Sequence, residues 1–194
     1  SPEHDTGFIW NENIDAAAAN VFSNISNVCQ LEFKQVDQDA DIDFWLYHKE
    51  DNILGYSFGV DGAGIFLNAA KFMNADIPIN GVDYLTIAHE VIHNLGTTHP
   101  FDGYAKLPGV ERSTDLGDFN FNQNIYTITS YNETGTDSHS SIKIGPDVVT
   151  ANTSFGLSSL GVIDQAFLQA LYGANNTTNA DDTYYELGNK GTKK

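Results

Sequence analysis

Residues 89–99 read HEVIHNLGTTH, and this short run carries most of the structural information in the chain. His89 and His93 are four residues apart, so on a helix they lie on one face, one turn apart. Their rings can therefore reach a single ion. Glu90 follows His89 directly, and its carboxylate can lie beside that ion without binding it. The spacing predicts a metal site with a base next to it.

A third histidine completes the pattern after a break in the helix. Gly96 permits a sharp turn with positive φ, and His99 lies three residues beyond it. Three neutral imidazoles leave one position of a tetrahedral zinc ion open to water, as in catalytic zinc sites. We therefore predict one zinc ion held by His89, His93 and His99, with Glu90 as general base. A surface helix with ordinary histidines is the alternative, and the fixed offsets argue against it.

Hydrophobic periodicity predicts three helices and several short strands around this motif. The helices are expected at residues 12–29, 83–95 and 161–171. Strands are expected at residues 31–36, 40–46 and near 65–67, with two further short segments at 125–131 and 141–144. This order predicts an α+β domain, with α/β/α layers around one mixed sheet. We expect the domain to span residues 1–175 and residues 176–194 to form a tail or linker.

Two of the predicted helices have clear apolar faces. In the helix at 83–95, Asp83 is placed to cap the first turn, and the apolar stripe consists of Leu85, Ala88, Ile92 and Leu95. In the last helix, the residues expected on the inner face are Val162, Ile163, Phe167, Leu168 and Leu171.

The chain is strongly acidic, with 26 Asp and Glu residues against 9 Lys and Arg, and a formal net charge of -17. Such a surface repels phosphates and anionic lipid headgroups, so nucleic acid and membranes are not expected partners. The acidity serves either solubility or calcium binding. We favour solubility, because no 12-residue calcium loop is visible, and expect any bound calcium to be weak and peripheral. On a strand, one solvated face would hold Asp37, Asp39, Asp41 and Asp43.

The motif and its surroundings resemble the serralysin branch of the metzincin proteases. Pro100 follows the third histidine, as in that family. The segments GYS at 55–57 and IFLN at 65–68 are similar to the family's approach to its edge strand. YTITSY at 126–131 is similar to its Met-turn, and LYGAN at 171–175 to the end of the helix beneath that turn. The resemblance covers roughly residues 8–185 and implies a metzincin fold with a twisted mixed sheet, a zinc helix and a C-terminal helix. It also implies a secreted bacterial protein.

Two features depart from that family. Thr129 stands where the family has methionine, so a smaller polar group replaces a flexible apolar floor under the zinc site. We still expect activity, because all three ligands and Glu90 are present. The family continues into calcium-binding repeats. Residues 181–185 resemble the entry to them, but no repeat follows, so we expect the chain to be cut there or to lack that module.

The resemblance also implies that Tyr131 lies near the zinc and donates a hydrogen bond to the tetrahedral oxyanion. The alternative is a core tyrosine with its hydroxyl bonded elsewhere. A peptide substrate would add as a strand to a sheet edge. The candidate edge, chosen because small residues allow close backbone approach, is Gly62, Ala63, Gly64 and Ile65. A tight turn at that place is the alternative.

Together these features predict a monomeric zinc endopeptidase that hydrolyses peptide bonds of proteins. Glu90 would take a proton from the zinc-activated water and pass it to the leaving amine. The alternative is a catalytically weakened, zinc-bearing binding or processing domain of a larger secreted protein. Thr129 is the one feature in favour of that alternative, and intact Glu90 argues against it.

Overall fold

The described part of the chain contains four helices and five short strands. The structure is a computed structural model, and it describes residues 9–50, 52–60, 64–79, 81–103, 106–132, 140–144, 147–151, 160–178 and 180, with the backbone alone at 140–144 and 147–151. The helices are α1 (Glu12–Val28), α2 (Ala69–Phe72), α3 (Val82–Asn94) and α4 (Val162–Tyr172). The strands are β1 (Asp43–Tyr47), β2 (Gly55–Ser57), β3 (Gly64–Asn68), β4 (Ser140–Ile144) and β5 (Asp147–Ala151). A 3-10 turn spans Asp118–Asn120.

The first three strands form a small mixed sheet in the order β1-β3-β2. β1 runs parallel to β3, with Leu46 opposite Leu67. β2 runs antiparallel to β3, with Tyr56 opposite Phe66. Strands β4 and β5 form a separate antiparallel pair. β3 is therefore the central strand of the described sheet, and one edge of β2 is paired with no described strand.

The core lies between this sheet and the helices. Because strand side chains alternate, Leu46, Ile65 and Leu67 point to the same face, where they join one buried cluster with α1 and α3. The opposite face carries four partly exposed aromatic side chains, Trp45, Tyr47, Tyr56 and Phe66. The mixed α and β content agrees with the prediction, whereas the three-layer α/β/α order is not confirmed in the described residues.

The predicted strands before β1 are wrong in part. Residues 31–36 form no strand, and the strand predicted at 40–46 begins only at Asp43. The reason is a bend before it, in which Asp39 has a φ of 54°, a conformation that a short polar side chain tolerates. Asp37, Asp39 and Asp41 are exposed but lie in irregular backbone, so they do not share a strand face with Asp43.

The inner face predicted for helix α4 is correct in part, because Leu168 is buried and Ile163 and Phe167 are half-buried. Val162 is 63% exposed and Leu171 is 55% exposed, whereas Asp164 and Leu168 are buried. The carboxylate of Asp164 takes the inner position because it accepts the backbone N–H of Gly161 at 2.8 Å and has further partners in the core. The prediction placed apolar residues by type alone and could not anticipate a buried carboxylate.

The segment after α4 is tied back to the end of α1. Gln30 N–H donates to the carbonyl of Gly173 at 3.0 Å, and Asn175 N–H donates to the carbonyl of Val28 at 3.1 Å. These bonds hold α4 against α1, and α4 in turn supports the residues beneath the histidines. Within the described residues, none of the helices is both long and apolar enough to cross a bilayer.

Candidate metal centre

Helix α3 carries the first two histidines and ends in a turn that brings back the third. The helix begins after Gly81, whose backbone is extended, so the predicted N-cap at Asp83 is wrong. Asp83 lies instead in the first turn, where a negative charge favours the helix dipole. At the other end, Gly96 has a φ of 98°, as predicted. Its N–H bonds the carbonyl of His93, and Thr97 N–H bonds the carbonyl of Ile92, which is the hydrogen-bond pattern of a Schellman C-cap.

The three histidines meet at one point. The Nε2 atoms of His89 and His93 are 2.9 Å apart, those of His93 and His99 are 3.1 Å apart, and those of His89 and His99 are 3.2 Å apart. Nitrogen atoms bound to tetrahedral zinc at about 2.0–2.1 Å would lie about 3.3 Å from one another. The cluster therefore has the size of a zinc site, with all three donors on one side.

Each imidazole is oriented by a hydrogen bond from its other nitrogen. His89 Nδ1 lies 2.9 Å from the carbonyl oxygen of Ile128, and His93 Nδ1 lies 2.9 Å from that of Thr97. His99 Nδ1 lies 2.7 Å from a carboxylate oxygen of Asp102. Because these partners are acceptors, each Nδ1 carries the proton and each Nε2 keeps its lone pair. Such partners orient metal ligands and raise their basicity, so the donor set fits a zinc ion.

Burial keeps two of these rings neutral. The pKa of His89 falls from 6.5 to about 3, mainly because the ring is desolvated and secondly because His93 lies next to it. The pKa of His93 falls to about 4, again mainly through desolvation. Neutral imidazoles are the form that binds metal, so both ligands are ready at neutral pH.

Glu90 lies next to the ligands without belonging to the cluster of ligand atoms. Its side chain is 6% exposed, and burial raises the pKa of the carboxyl from 4.5 to about 7. β2 passes very close to it, because a Cβ placed on Gly55 would lie 3.2 Å from Glu90 Cγ. A carboxyl group with a pKa near neutrality can both accept and release a proton at pH 7.

The segment that contains Thr129, the residue expected beneath the ligands, lies close to two of the histidines. Ile128 supplies the carbonyl that orients His89. The hydroxyl of Thr129 is buried, 2.9 Å from the hydroxyl of Thr127 and 3.4 Å from the carbonyl oxygen of Thr98. Thr98 directly precedes His99. The segment at 127–129 therefore contacts His89 through Ile128 and the residue next to His99 through Thr129.

Tyr131 lies on the solvent-exposed side of the histidine cluster. Its hydroxyl lies 2.8 Å from Nε2 of His99, and its ring centroid lies 4.7 Å from the centroid of the His99 ring. The side chain is nevertheless 59% exposed. The hydroxyl therefore reaches the ligand cluster from the solvent side.

A cleft of about 530 Å³ runs past these groups. Its walls include His89, Glu90 and Tyr131 on one side and the residues leading into β2, Leu54 and Gly55, on the other. Apolar side chains of α3 line one end, among them Val82 and Leu85. The cleft thus extends from His89 and Glu90 to Gly55, the first residue of β2.

The edge predicted for substrate binding is wrong in its described part. Gly64 and Ile65 both lie in the central strand β3 and are buried: Ile65 lies between Phe44 of β1 and Ser57 of β2, and Gly64 is paired with Asp43 of β1. Gly62 and Ala63 lie outside the described residues. The prediction failed because small residues are equally compatible with a central strand that packs closely. The edge strand β2 is short and contains a partly buried tyrosine, so its residues do not indicate an edge.

Sequence reasoning missed the groups that orient the histidines. Asp102 follows His99 by three residues, and that spacing was a signal that could have identified it. The carbonyl of Ile128 leaves no trace in a sequence, because every residue has one. Asp164 was identified only as part of the last helix, although it bonds the segment under the site.

Comparison with known proteins finds similarity along almost the whole chain. It is 30% identical over 196 residues to a protein named serralysin from Photorhabdus luminescens, which covers 95% of this chain and 38% of that protein. It is 28% identical over 180 residues to metallopeptidase AprA from Pseudomonas marginalis, which covers 88% of this chain and 35% of that protein. No family model matches the chain. The chain therefore spans less than two fifths of the length of these curated relatives.

Proposed function

This chain is a homologue of the serralysins and belongs with the metzincin metallopeptidases, and on that premise we propose that it is the catalytic domain of a zinc-dependent endopeptidase. The observation that supports the proposal most strongly is the convergence of three oriented Nε2 atoms beside the buried carboxyl of Glu90. His89, His93 and His99 would hold the zinc ion. A structural zinc site would need a fourth protein ligand and no base.

Each nearby side chain has a role in peptide hydrolysis. Zinc supplies Lewis-acid chemistry when bound, since it polarises a carbonyl group and makes water more acidic. Glu90 accepts a proton from the attacking water as the new C–O bond forms, and then delivers that proton to the amine as the C–N bond breaks. Tyr131, whose hydroxyl lies at the ligand cluster, donates its O–H to the oxyanion that develops on the scissile carbonyl.

The substrate would lie along the unpaired edge of β2. An extended peptide binds there by adding a strand to the sheet, with main-chain hydrogen bonds to the edge. Gly55 favours this arrangement, because its lack of a side chain lets the β2 backbone lie against Glu90. The substrates would be proteins or peptides, and the domain would act outside the cell as a monomer.

Turnover of a casein-like protein tests the proposal. The full chain should cleave it, lose activity when a chelator removes the metal, and regain activity when about one equivalent of zinc is added. A chain that binds zinc tightly but cleaves no protein or peptide would instead be a zinc-bearing binding domain, and the proposal would be wrong.

Substitution of a ligand separates the metal site from general effects on folding. His93→Ala should lower the zinc content well below one equivalent, because two imidazoles hold the ion far less firmly than three. His48→Ala is the matched control, since His48 is exposed and lies outside the cluster. Full zinc retention in His93→Ala would contradict the assignment of the ligands.

A further inference from the structure

A chain of buried polar side chains lies directly beneath the ligand cluster. Thr127, Thr129 and Asp164 are each 2% exposed. Burying such groups costs free energy unless they are hydrogen-bonded, and here they bond one another. The hydroxyls of Thr127 and Thr129 are 2.9 Å apart, and the hydroxyl of Thr127 donates to Asp164 Oδ1 at 2.6 Å.

The hydrogen bonds that join Thr129, Thr127 and Asp164 all run in the same direction from donor to acceptor. Thr127 has a single hydroxyl proton, and the carboxylate of Asp164 takes it. The hydroxyl of Thr129 therefore donates to the oxygen of Thr127, and the same proton makes a weaker, three-centre hydrogen bond to the carbonyl oxygen of Thr98. The oxygen of Thr127 also accepts the backbone N–H of Thr129 at 3.3 Å. The chain runs from Thr129 through Thr127 to Asp164, and each side chain in it has a partner.

Two contacts connect this chain to the histidines. Asp164 Oδ2 accepts the N–H of Ile128 at 2.9 Å, and the carbonyl of Ile128 accepts the Nδ1–H of His89 at 2.9 Å. At the other end, Thr129 Oγ1 lies 3.4 Å from the carbonyl oxygen of Thr98, the residue before His99. His89 is therefore held through Ile128 by Asp164 of α4, where the hydrogen-bonded chain ends. His99 directly follows Thr98, which contacts Thr129 at the other end.

We propose that Thr127, Thr129 and Asp164 act together as positioning residues, which hold His89 and His99 at the separation that zinc requires and so set the affinity of the site for the metal. The inference rests on the proposed function, because it needs the three histidines to hold zinc. Hydrogen bonds hold the threonine side chains in place beneath the ligands, whereas a flexible apolar side chain would be held there only by packing.

The two threonines are better targets than Asp164. Asp164 also accepts the N–H of Gly161 and so caps α4, and its substitution would mix helix stability with ligand position. Thr→Val keeps the shape of the side chain and removes the hydroxyl. The informative variants are Thr127→Val and Thr129→Val, with Thr129→Ser as the conservative change that keeps the hydroxyl. Thr114→Val serves as control, since Thr114 is exposed.

The measurements are the zinc dissociation constant, from competition with a chromogenic chelator, and the visible d–d absorption of the cobalt(II)-substituted protein. Both valine variants should bind zinc at least about 10-fold more weakly and show an altered cobalt spectrum. Thr129→Ser and Thr114→Val should match the wild type in both readouts.

Three results would overturn the inference. They are zinc constants within about twofold of wild type in both valine variants, an equal loss in Thr129→Ser and Thr129→Val, or failure of both valine variants to fold with zinc present. Failure of both valine variants to fold would mean that the two hydroxyls are needed for folding rather than for holding the zinc ligands in position. If the wild-type chain bound no stoichiometric zinc, the proposed function itself would fail, and that outcome is separate from these three.

Discussion

The hydroxyl of Tyr131 donates a hydrogen bond to Nε2 of His99 over 2.8 Å. His99 can accept it because its own N–H is on Nδ1 and is directed to Asp102. A metal ion would use the same lone pair, so the hydroxyl has to give up this hydrogen bond when zinc binds. The exposed ring then stands at the mouth of the cleft, within reach of a bound peptide.

Replacement of Tyr131 by phenylalanine should slow the chemical step and leave the metal in place. We expect kcat to fall by roughly 100-fold, as when one oxyanion donor is removed, with KM and zinc content little changed. Steady-state kinetics with a quenched peptide would measure this. Tyr126→Phe is the control, because Tyr126 does not line the cleft. A kcat within about twofold of wild type in Tyr131→Phe would remove the hydroxyl from the mechanism.

The metal-free protein should lose stability as the pH falls below 6.5. His89 and His93 stay neutral in the folded protein down to pH values of about 3 and about 4, whereas the same rings in the unfolded chain take up protons below 6.5. The unfolded state therefore binds more protons in this range, and acid favours it. The loss should approach about 1.4 kcal/mol per histidine for each pH unit at most.

Glu90 acts in the opposite direction and provides the control for that experiment. Its pKa is raised from 4.5 to about 7 in the folded protein, so a fall in pH from 7 to 4.5 relieves the cost of burying its charge and favours folding. Glu90→Gln removes this gain, and the loss of stability in acid should become steeper. Urea unfolding of both metal-free proteins at about pH 7 and about pH 5 would measure the difference. Equal stability of Glu90→Gln at the two pH values would contradict the expected neutral state of the histidines.

Calcium should have little effect on the stability of this chain. Among the described residues, the arrangement of side chains that could hold an ion is the histidine cluster, and the acidic residues Asp37, Asp39 and Asp41 are exposed in irregular backbone. Thermal unfolding with zinc held constant, with calcium or with a calcium-selective chelator, tests this. A site filled at about 100 times its dissociation constant would add about 2.7 kcal/mol, and a gain of that size would restore calcium as a structural cofactor.

The parts of the fold that depend on local sequence were predictable. α1 and α3 follow from apolar periodicity, and the turn after α3 follows from Gly96, because few other residues adopt a φ near 98°. The spacing of His89, His93 and His99 predicted the ligand cluster, since helix geometry alone fixes where the first two rings point.

The parts that depend on contacts distant in sequence were not predictable. The segment at 31–36 forms no strand and β1 begins only at Asp43, after the bend at Asp39. The pairing order of β2 and β3 is a property of the sheet and not of either segment. Leu168 was correctly placed on the inner face of α4, but Asp164 was missed there, because its partners Ile128 and Thr127 lie more than thirty residues away in sequence.

The zinc content and the peptidase activity of Glu90→Gln test the central claim most directly. The claim is that three histidines hold the metal and Glu90 acts only on protons, so the amide should leave the fold intact and about one equivalent of zinc bound. Hydrolysis of a casein-like protein should fall by a factor of ~100 or more, because the amide cannot accept the proton. A Glu90→Gln protein that kept half of the wild-type rate with its zinc in place would contradict the account.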